Sequence, residues 1–262
     1  MELSLHRELK ERYGPGSGGR VEVSHDGFRI DAVTGDGVFV EIQSAALAPL
    51  RKKLQRLLID SSVRVVKPVV VARRVIRRAF KDGADLSARF SPKRASPFDV
   101  FEDLIGIARL FPHPNLEIEI LAVEVDEIRV TRKRRPGFSV HDRLLRSIVG
   151  RTTLHASSDL WDLFPKPEIW RQPFTTRELS ERLERPLHFA QGVAYCLHHM
   201  GAARTVGKRG NLQVYKRCTT VDAGRDHTEF GSQVKPSAFR ESERTGMKPA
   251  LVAVAAHSPS IE

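Results

Sequence analysis

Cysteine is nearly absent from this chain. Two thiols in 262 residues, Cys196 and Cys218, are too few for a disulfide framework or a cysteine-built zinc site, so a reducing cytoplasm is the expected compartment. Long apolar runs are absent too. None approaches the ~20 residues that a membrane-spanning helix needs, and the N-terminus carries no cleavable-signal pattern. There is no G-x-x-x-x-G-K-[ST] loop, no G-x-G-x-x-G after a strand, no H-E-x-x-H and no nucleophile elbow, which removes the commonest nucleotide, zinc-protease and esterase signatures. Residues 14–19, GPGSGG, are glycine-rich but precede a strand, so they read as a flexible connection and not a phosphate cradle. Acidic residues are the minority charge, 32 against 43 Lys+Arg, for a net charge of +11 and an isoelectric point near 10.0. Residues 218–262 hold five basic and six acidic side chains, so the excess lies in 1–217, and residues 62–94 alone hold ten basic and two acidic ones. A chain this basic binds polyanions by releasing condensed counterions. Nucleic acid is the expected partner; the plainer reading is a soluble protein with solvated basic faces.

What is present is best read from residues 28–43, FRIDAVTGDGVFVEIQ. Phe28, Ile30 and Ala32 alternate with Arg29, Asp31 and Val33. Val38, Val40 and Ile42 then alternate with Phe39, Glu41 and Gln43, as expected for two strands. Matching the apolar faces sets the register, because a one-residue slip turns every side chain over. Thr34 then lies opposite Val38 across the loop Gly35-Asp36-Gly37, where glycine supplies a positive φ. In that register Asp31 faces Glu41, with Gln43 further along the same face. Two adjacent carboxylates repel unless a cation sits between them, and an oxygen-rich site suits Mg²⁺ or Mn²⁺.

The flanking segments extend the pattern. Residues 1–14 read as a helix with Glu2, His6, Leu9 and Tyr13 on one stripe and Leu5 beside it. Residues 46–59 repeat Leu47, Leu50, Leu54, Leu57 and Leu58 at helical spacing; Lys53 borders that stripe and Lys52 points away. Residues 63–72, VRVVKPVVVA, form a β-branched run expected of a buried strand. The order is helix, three strands, helix, strand.

These residues resemble the PD-(D/E)XK, or restriction-endonuclease-like, nuclease superfamily over roughly residues 1–72. Asp31 matches the motif aspartate, Glu41-Ile42-Gln43 the D/E-X-K tripeptide, and Glu2 the acid often found in the first helix. Ile30 replaces the motif proline and Gln43 the motif lysine; Lys53, on the following helix, is placed to act as a migrated lysine. The resemblance implies an αβββαβ core that hydrolyses phosphodiester bonds with Mg²⁺ or Mn²⁺. The metal ligands would be Asp31, Glu41 and Glu2, and Glu41, Gln43, Lys53 and His6 the catalytic groups. His6 reads equally as a satisfied core histidine.

Downstream, 89–97 (RFSPKRASP) reads as a basic loop carrying Lys93 and Arg94. Residues 98–111 show helical spacing and 116–130 a strand. That strand ends in Glu124, Asp126 and Glu127, read as a solvated acidic end facing Arg132, Lys133, Arg134 and Arg135. Residues 136–172 read as a linker region with one helix over 140–149, closed by a Pro/Trp-rich connector packed on its neighbours. Thr175-Thr176-Arg177-Glu178 is a capping box opening a helix that Arg185-Pro186 breaks. A second helix over 187–200 buries Leu187, Ala190, Val193, Ala194 and Leu197, with Gly201 at its end. Two strands follow around the basic turn Gly207-Lys208-Arg209-Gly210.

Helix, turn, helix and hairpin look like a winged helix-turn-helix. The DNA-binding residues would be Gln191, Tyr195 and His199 on the second helix, with Arg204, Lys208 and Arg209 on the wing and Lys93 and Arg94 upstream. A winged helix used for protein contacts is the competing reading. Residues 218–262 are polar and aperiodic and are expected to be disordered.

The expected architecture is thus α/β. A restriction-endonuclease-like αβββαβ core with additional helix and strand fills 1–135, a linker 136–172, a small winged-helix domain 173–217 and a tail 218–262. The expected function is metal-dependent hydrolysis of DNA, with RNA and a homodimer left open. The alternative is a non-catalytic DNA-binding protein that keeps an inactive nuclease fold.

Overall fold

Apolar spacing lays down the first elements. Leu5, Leu9 and Tyr13 recur one turn apart and are buried on helix α1 (Ser4–Tyr13). Strands β1 (Arg20–His25) and β2 (Phe28–Val33) form a hairpin across Asp26 and Gly27, both at positive φ, as tight hairpin turns require. Strand β3 (Phe39–Ile42) pairs antiparallel with β2 through Ala32↔Val40 and Val33↔Phe39. That is the register read from apolar alternation. The Thr34 amide donates to the Val38 carbonyl at 3.0 Å, and Gly37 takes the positive φ, +87°. A 3₁₀ turn and helix α2 (Arg51–Leu57) cross over to strand β4 (Val63–Arg78), which lies parallel to β3. The structure describes residues 2–165 and 167–218, so the tail expected from 218 onward lies, but for Cys218, outside the described residues.

Strand β4 pairs near its C-terminal end with β5 (Asp85–Phe90) and along most of its length with β6 (Leu116–Thr131), which is parallel to it and follows the short helix α3 (Phe101–Leu104). Strand β6 in turn pairs antiparallel with β7 (Phe138–Leu154). The seven strands form one mixed sheet of order β1-β2-β3-β4-β6-β7, with β5 on β4. Alternation sends Val66, Leu121, Val123 and Val125 to a core under α1. Val65, Ile118 and Ile120 go to a larger core on the other face, with Leu54 and Leu57 of α2. The fold is mixed α/β, with helices on both faces of a large sheet.

That larger core is shared with the C-terminal elements. Strand β8 (Phe174–Thr175), helices α4 (Thr176–Leu183) and α5 (Leu187–His199), and strands β9 (Ala203–Arg209) and β10 (Leu212–Arg217) follow. Their three strands form a second sheet of order β8-β10-β9. The capping box is formed: the Thr175 amide donates to Glu178 Oε2 at 2.7 Å, and the Glu178 amide to Thr175 Oγ1 at 3.3 Å. Helix α4 ends with Glu184 in the left-handed region, φ 52°, ahead of Arg185-Pro186. Phe189 meets Phe98 at 5.5 Å between ring centres, and Phe164 meets Phe98 at 4.9 Å. Trp161 and Trp170 of the connector are fully buried in the same core.

Four expectations are corrected. The helix over 140–149 is absent, and those residues belong to the 17-residue strand β7. Val140, Leu144, Leu145, Ile148 and Val149 have near-helical spacing, but the free edge of β6 offers a ladder of unpaired backbone groups that only a strand satisfies. The sheet therefore continues to Leu154, past the boundary expected at 135. Second, Asp126 and Glu127 are not solvated: they are 8% and 0% exposed and paired with arginines from β4, β6 and β7. Third, Leu187 is 45% exposed, and Phe189 fills the position expected of it. Fourth, the glycine-rich connection is tightly fitted: a Cβ on Gly19 would stand 1.8 Å from the Val33 carbonyl oxygen.

Candidate active site

The β2–β3 ladder opens just beyond Ala32↔Val40, and there Asp31 and Glu41 come level with each other. Asp31 Oδ2 takes the place of a ladder acceptor, receiving the Ile42 amide at 2.9 Å. Its other oxygen, Oδ1, faces helix α1, where His6 Nε2 lies at 3.4 Å and Lys10 Nζ at 3.5 Å. Glu41 is buried, 4% exposed, and Lys53 of α2 places its ammonium 2.5 Å from Oε1. Lys53 also donates to the Arg29 carbonyl at 2.5 Å. Helix α2 thus reaches Glu41 while α1 reaches Asp31.

Glu2 stands just before α1, its Oε1 2.7 Å from Lys10 Nζ and 3.7 Å from His6 Nε2. Sequence reading missed Lys10, which is 7% exposed and also reaches Glu22 at 3.0 Å. The available signal was its spacing: Lys10 follows His6 by four residues, one turn along the same face. Glu22 was missed as well. It sits within β1 at φ 55°, a conformation that non-glycine residues rarely adopt. It lies between the paired positions Val21↔Ala32 and Val23↔Ile30, level with Asp31. Glu22, Asp31 and Glu41 therefore form one row across three strands.

The cations beside these carboxylates are ammonium groups, so the repulsion argument is met by Lys10 and Lys53. Among the described residues, no group of three or more His, Cys, Asp or Glu side chains is placed to hold a metal ion. Among the described residues seven buried side-chain atoms lack a hydrogen bond, and two of them belong to this cluster: His6 Nε2, and Glu41 Oε1, whose near neighbour is the Lys53 ammonium. Gln43 is outside it: its amide donates to the Ala46 carbonyl at 3.1 Å. Burial raises the Glu41 carboxyl above its ordinary pKa, and Lys53 offsets this only in part. Burial also pushes Asp31 upward, but His6, the Ile42 amide and Lys10 outweigh it, and its pKa falls below the ordinary value. For Lys10, burial is overcome by Glu2 and Glu22, so its pKa is raised.

A family described as "Domain of unknown function (DUF8091)" matches residues 3–155. The chain belongs to that family. The matched stretch holds every residue of the cluster except Glu2 and ends one residue past β7. A protein of Treponema pallidum (strain Nichols), described as "Uncharacterized protein", is 31% identical over 223 residues, covering 82% of this chain and 85% of the relative. No solved structure matches the chain.

The residues expected to contact DNA lie elsewhere. Gln191 is exposed on α5, and Tyr195 stacks on His199 with ring centres 3.9 Å apart. With Tyr215 and Gln213 of β10 these three line a groove of about 510 Å³. Arg204, Lys208 and Arg209 project from β9 and are exposed; Arg209 pairs with Glu178 at 2.5 Å. Lys93 and Arg94 are exposed in the loop after β5.

Proposed function

We propose that this protein is a metal-dependent nuclease of the cytoplasm, with a restriction-endonuclease-like core and a winged helix built from β8, α4, α5 and the β9–β10 hairpin. The reading is carried by one observation. Asp31 and Glu41 stand level where β2 and β3 separate, with Lys53 on one carboxylate and His6 and Lys10 on the other. Mg²⁺ or Mn²⁺ would have to displace the Lys10 and Lys53 ammonium groups to be held by Asp31, Glu41 and Glu2; held there it would polarise the scissile phosphate and lower the pKa of its bound water. Lys53 orients the nucleophile and stabilises the negative charge developing on phosphate. His6, beside Asp31, would accept the proton that this water gives up and return it to solvent. Gln43 takes part only by turning from the Ala46 carbonyl. The helix α5 face and the wing hold the duplex through base edges and phosphates.

A non-catalytic DNA-binding protein on the same fold is the second reading. It is favoured by Gln43, which stands at the motif-lysine position and is turned away from the carboxylates. Cleavage assays on duplex DNA with Mg²⁺ or Mn²⁺ separate the two. Asp31→Ala and Glu41→Ala should abolish cleavage and leave binding intact, and Lys53→Ala should cost far more activity than Lys52→Ala. Wild-type protein that binds DNA but never cuts it would establish the second reading.

A further inference from the structure

Strands β4, β6 and β7 span 16, 16 and 17 residues, against about 5–6 for an ordinary strand. Their far halves, with β5, form an arm reaching beyond the candidate site. Three acids inside this arm are already paired with arginines. Glu127 is held by Arg73, Arg129 and Arg143 at 3.2, 2.6 and 3.0 Å, and Asp126 by Arg74 at 2.5 Å. Asp85 is held by Arg78 at 2.7 Å.

The end of the arm is different. Because β4 and β6 are parallel, the β4–β5 turn and the β6–β7 hairpin leave the sheet at the same end, and Thr131 Oγ1 donates to the Arg78 carbonyl at 3.2 Å. Six cations gather there: Arg77 and Lys81 from one connection, and Arg132, Lys133, Arg134 and Arg135 from the other. All six are exposed. Among the described residues, none of them has an ion pair or side-chain hydrogen bond with an acid, and Asp82 is the sole carboxylate of the two turns.

We propose that this tip grips the phosphate backbone of duplex nucleic acid within about one helical turn of the Asp31–Glu41 site. The register puts Glu41 level with Val65, and the thirteen residues from Val65 to Arg78 trace at most about 43 Å at ~3.3 Å per residue. The twisted sheet brings the tip nearer than that contour, since the amide of Ser4, two residues before His6, donates to Asp142, which is level with Ile128 and Ile76. A duplex advances ~3.4 Å per base pair, so the tip meets it within about 12 base pairs of the site. A stiff sheet matches a stiff rod; a single strand would not hold that span. The assignment rests on the nucleic-acid part of the proposed function and not on cleavage.

The test uses the full chain in EDTA, with binding to a labelled duplex of about 40 base pairs followed across salt concentrations. Replacing Arg132, Lys133, Arg134 and Arg135 together by alanine should weaken binding at least about tenfold. It should also shallow the slope of log K against log salt by about 2–4 units, at ~0.9 per lost phosphate contact. Replacing the three arginines by lysine keeps the charge and should preserve the slope. An unchanged slope in the alanine variant overturns the proposal. So does an equal loss on a single strand of the same length, or displacement of the duplex by poly-glutamate at equal charge, which would assign the tip to acidic proteins. Wild-type protein that binds duplex without cutting it sinks the nuclease reading and leaves this one standing.

Discussion

Glu41 and Lys53 tie the hairpin to helix α2, and their pairing makes the candidate site sensitive to pH. Glu41 is the carboxyl with the raised pKa and Asp31 the one with the lowered pKa, so of these two carboxyls Glu41 takes a proton first. Removing the ammonium by Lys53→Ala leaves a buried carboxylate without its cation. The expected loss at neutral pH is about 2 kcal/mol, less than for a fully buried pair because Lys53 keeps some solvent contact. A carboxyl whose folded pKa lies above its unfolded value is stabilised in the folded state by protonation. The penalty of Lys53→Ala should therefore shrink as pH falls through the folded pKa of Glu41 and grow above it. Denaturant unfolding at about pH 5 and about pH 8 reads this directly; a penalty as large in acid as in base contradicts it.

Among the elements, β6 depends most on its neighbours, since it carries a fully buried acid, Glu127, between three arginines. Burial pushes the Glu127 carboxyl upward, but hydrogen bonds from Arg129 and Arg143 and the charge of Arg73 bring it below its ordinary value. Glu127→Ala would leave those guanidinium groups crowded around a void, and should cost about 3 kcal/mol at neutral pH. A depressed carboxyl stabilises the fold above its unfolded pKa and loses that contribution as pH falls through the folded one. The gap between wild type and variant should accordingly close in acid. Thermal unfolding of both proteins across pH measures it, and a gap that widens in acid would mean that Glu127 does not hold the arginines. The strand expected at 116–130 is present as β6, while its supposedly wet end is the best-paired part of the arm. Charge spacing along one strand does not show which arginines a neighbouring strand will bring.

At the scale of the whole molecule, the sheet and the C-terminal helices share one core. Phe98 and Phe101 of the segment before β6 meet Phe164 and Phe189, and the Cys196 thiol of α5 approaches the Phe101 carbonyl at 3.6 Å. Burial pushes that thiol up to about 12, so it stays protonated and unreactive in the native state. In a Cys218→Ser background, Cys196 should react with a thiol reagent only as fast as the protein unfolds globally. Its labelling midpoint in urea should coincide with loss of sheet signal. Labelling well before the sheet melts would show that α4 and α5 open independently. Among the described residues, no helix is long and apolar enough to cross a membrane.

Several parts of this protein are local and could be read without coordinates. Alternating apolar residues and a glycine at positive φ determine the β2–β3 register, and with it the juxtaposition of Asp31 and Glu41. Leucine spacing determines α2 and which of Lys52 and Lys53 faces inward. Thr175 and Glu178 determine the start of α4, because a capping box is satisfied within four residues. Other parts depended on partners distant in sequence. Residues 138–154 became a strand because β6 had an edge to fill, against their own near-helical spacing. Lys10 became part of the site because the hairpin brought Glu22 and Asp31 beneath α1. The cations of the arm tip were gathered because β4 and β6 run parallel. Local backbone preferences and side-chain periodicity are written in neighbouring residues, whereas the filling of a strand edge and the pairing of buried charges are settled only when segments far apart in the chain meet.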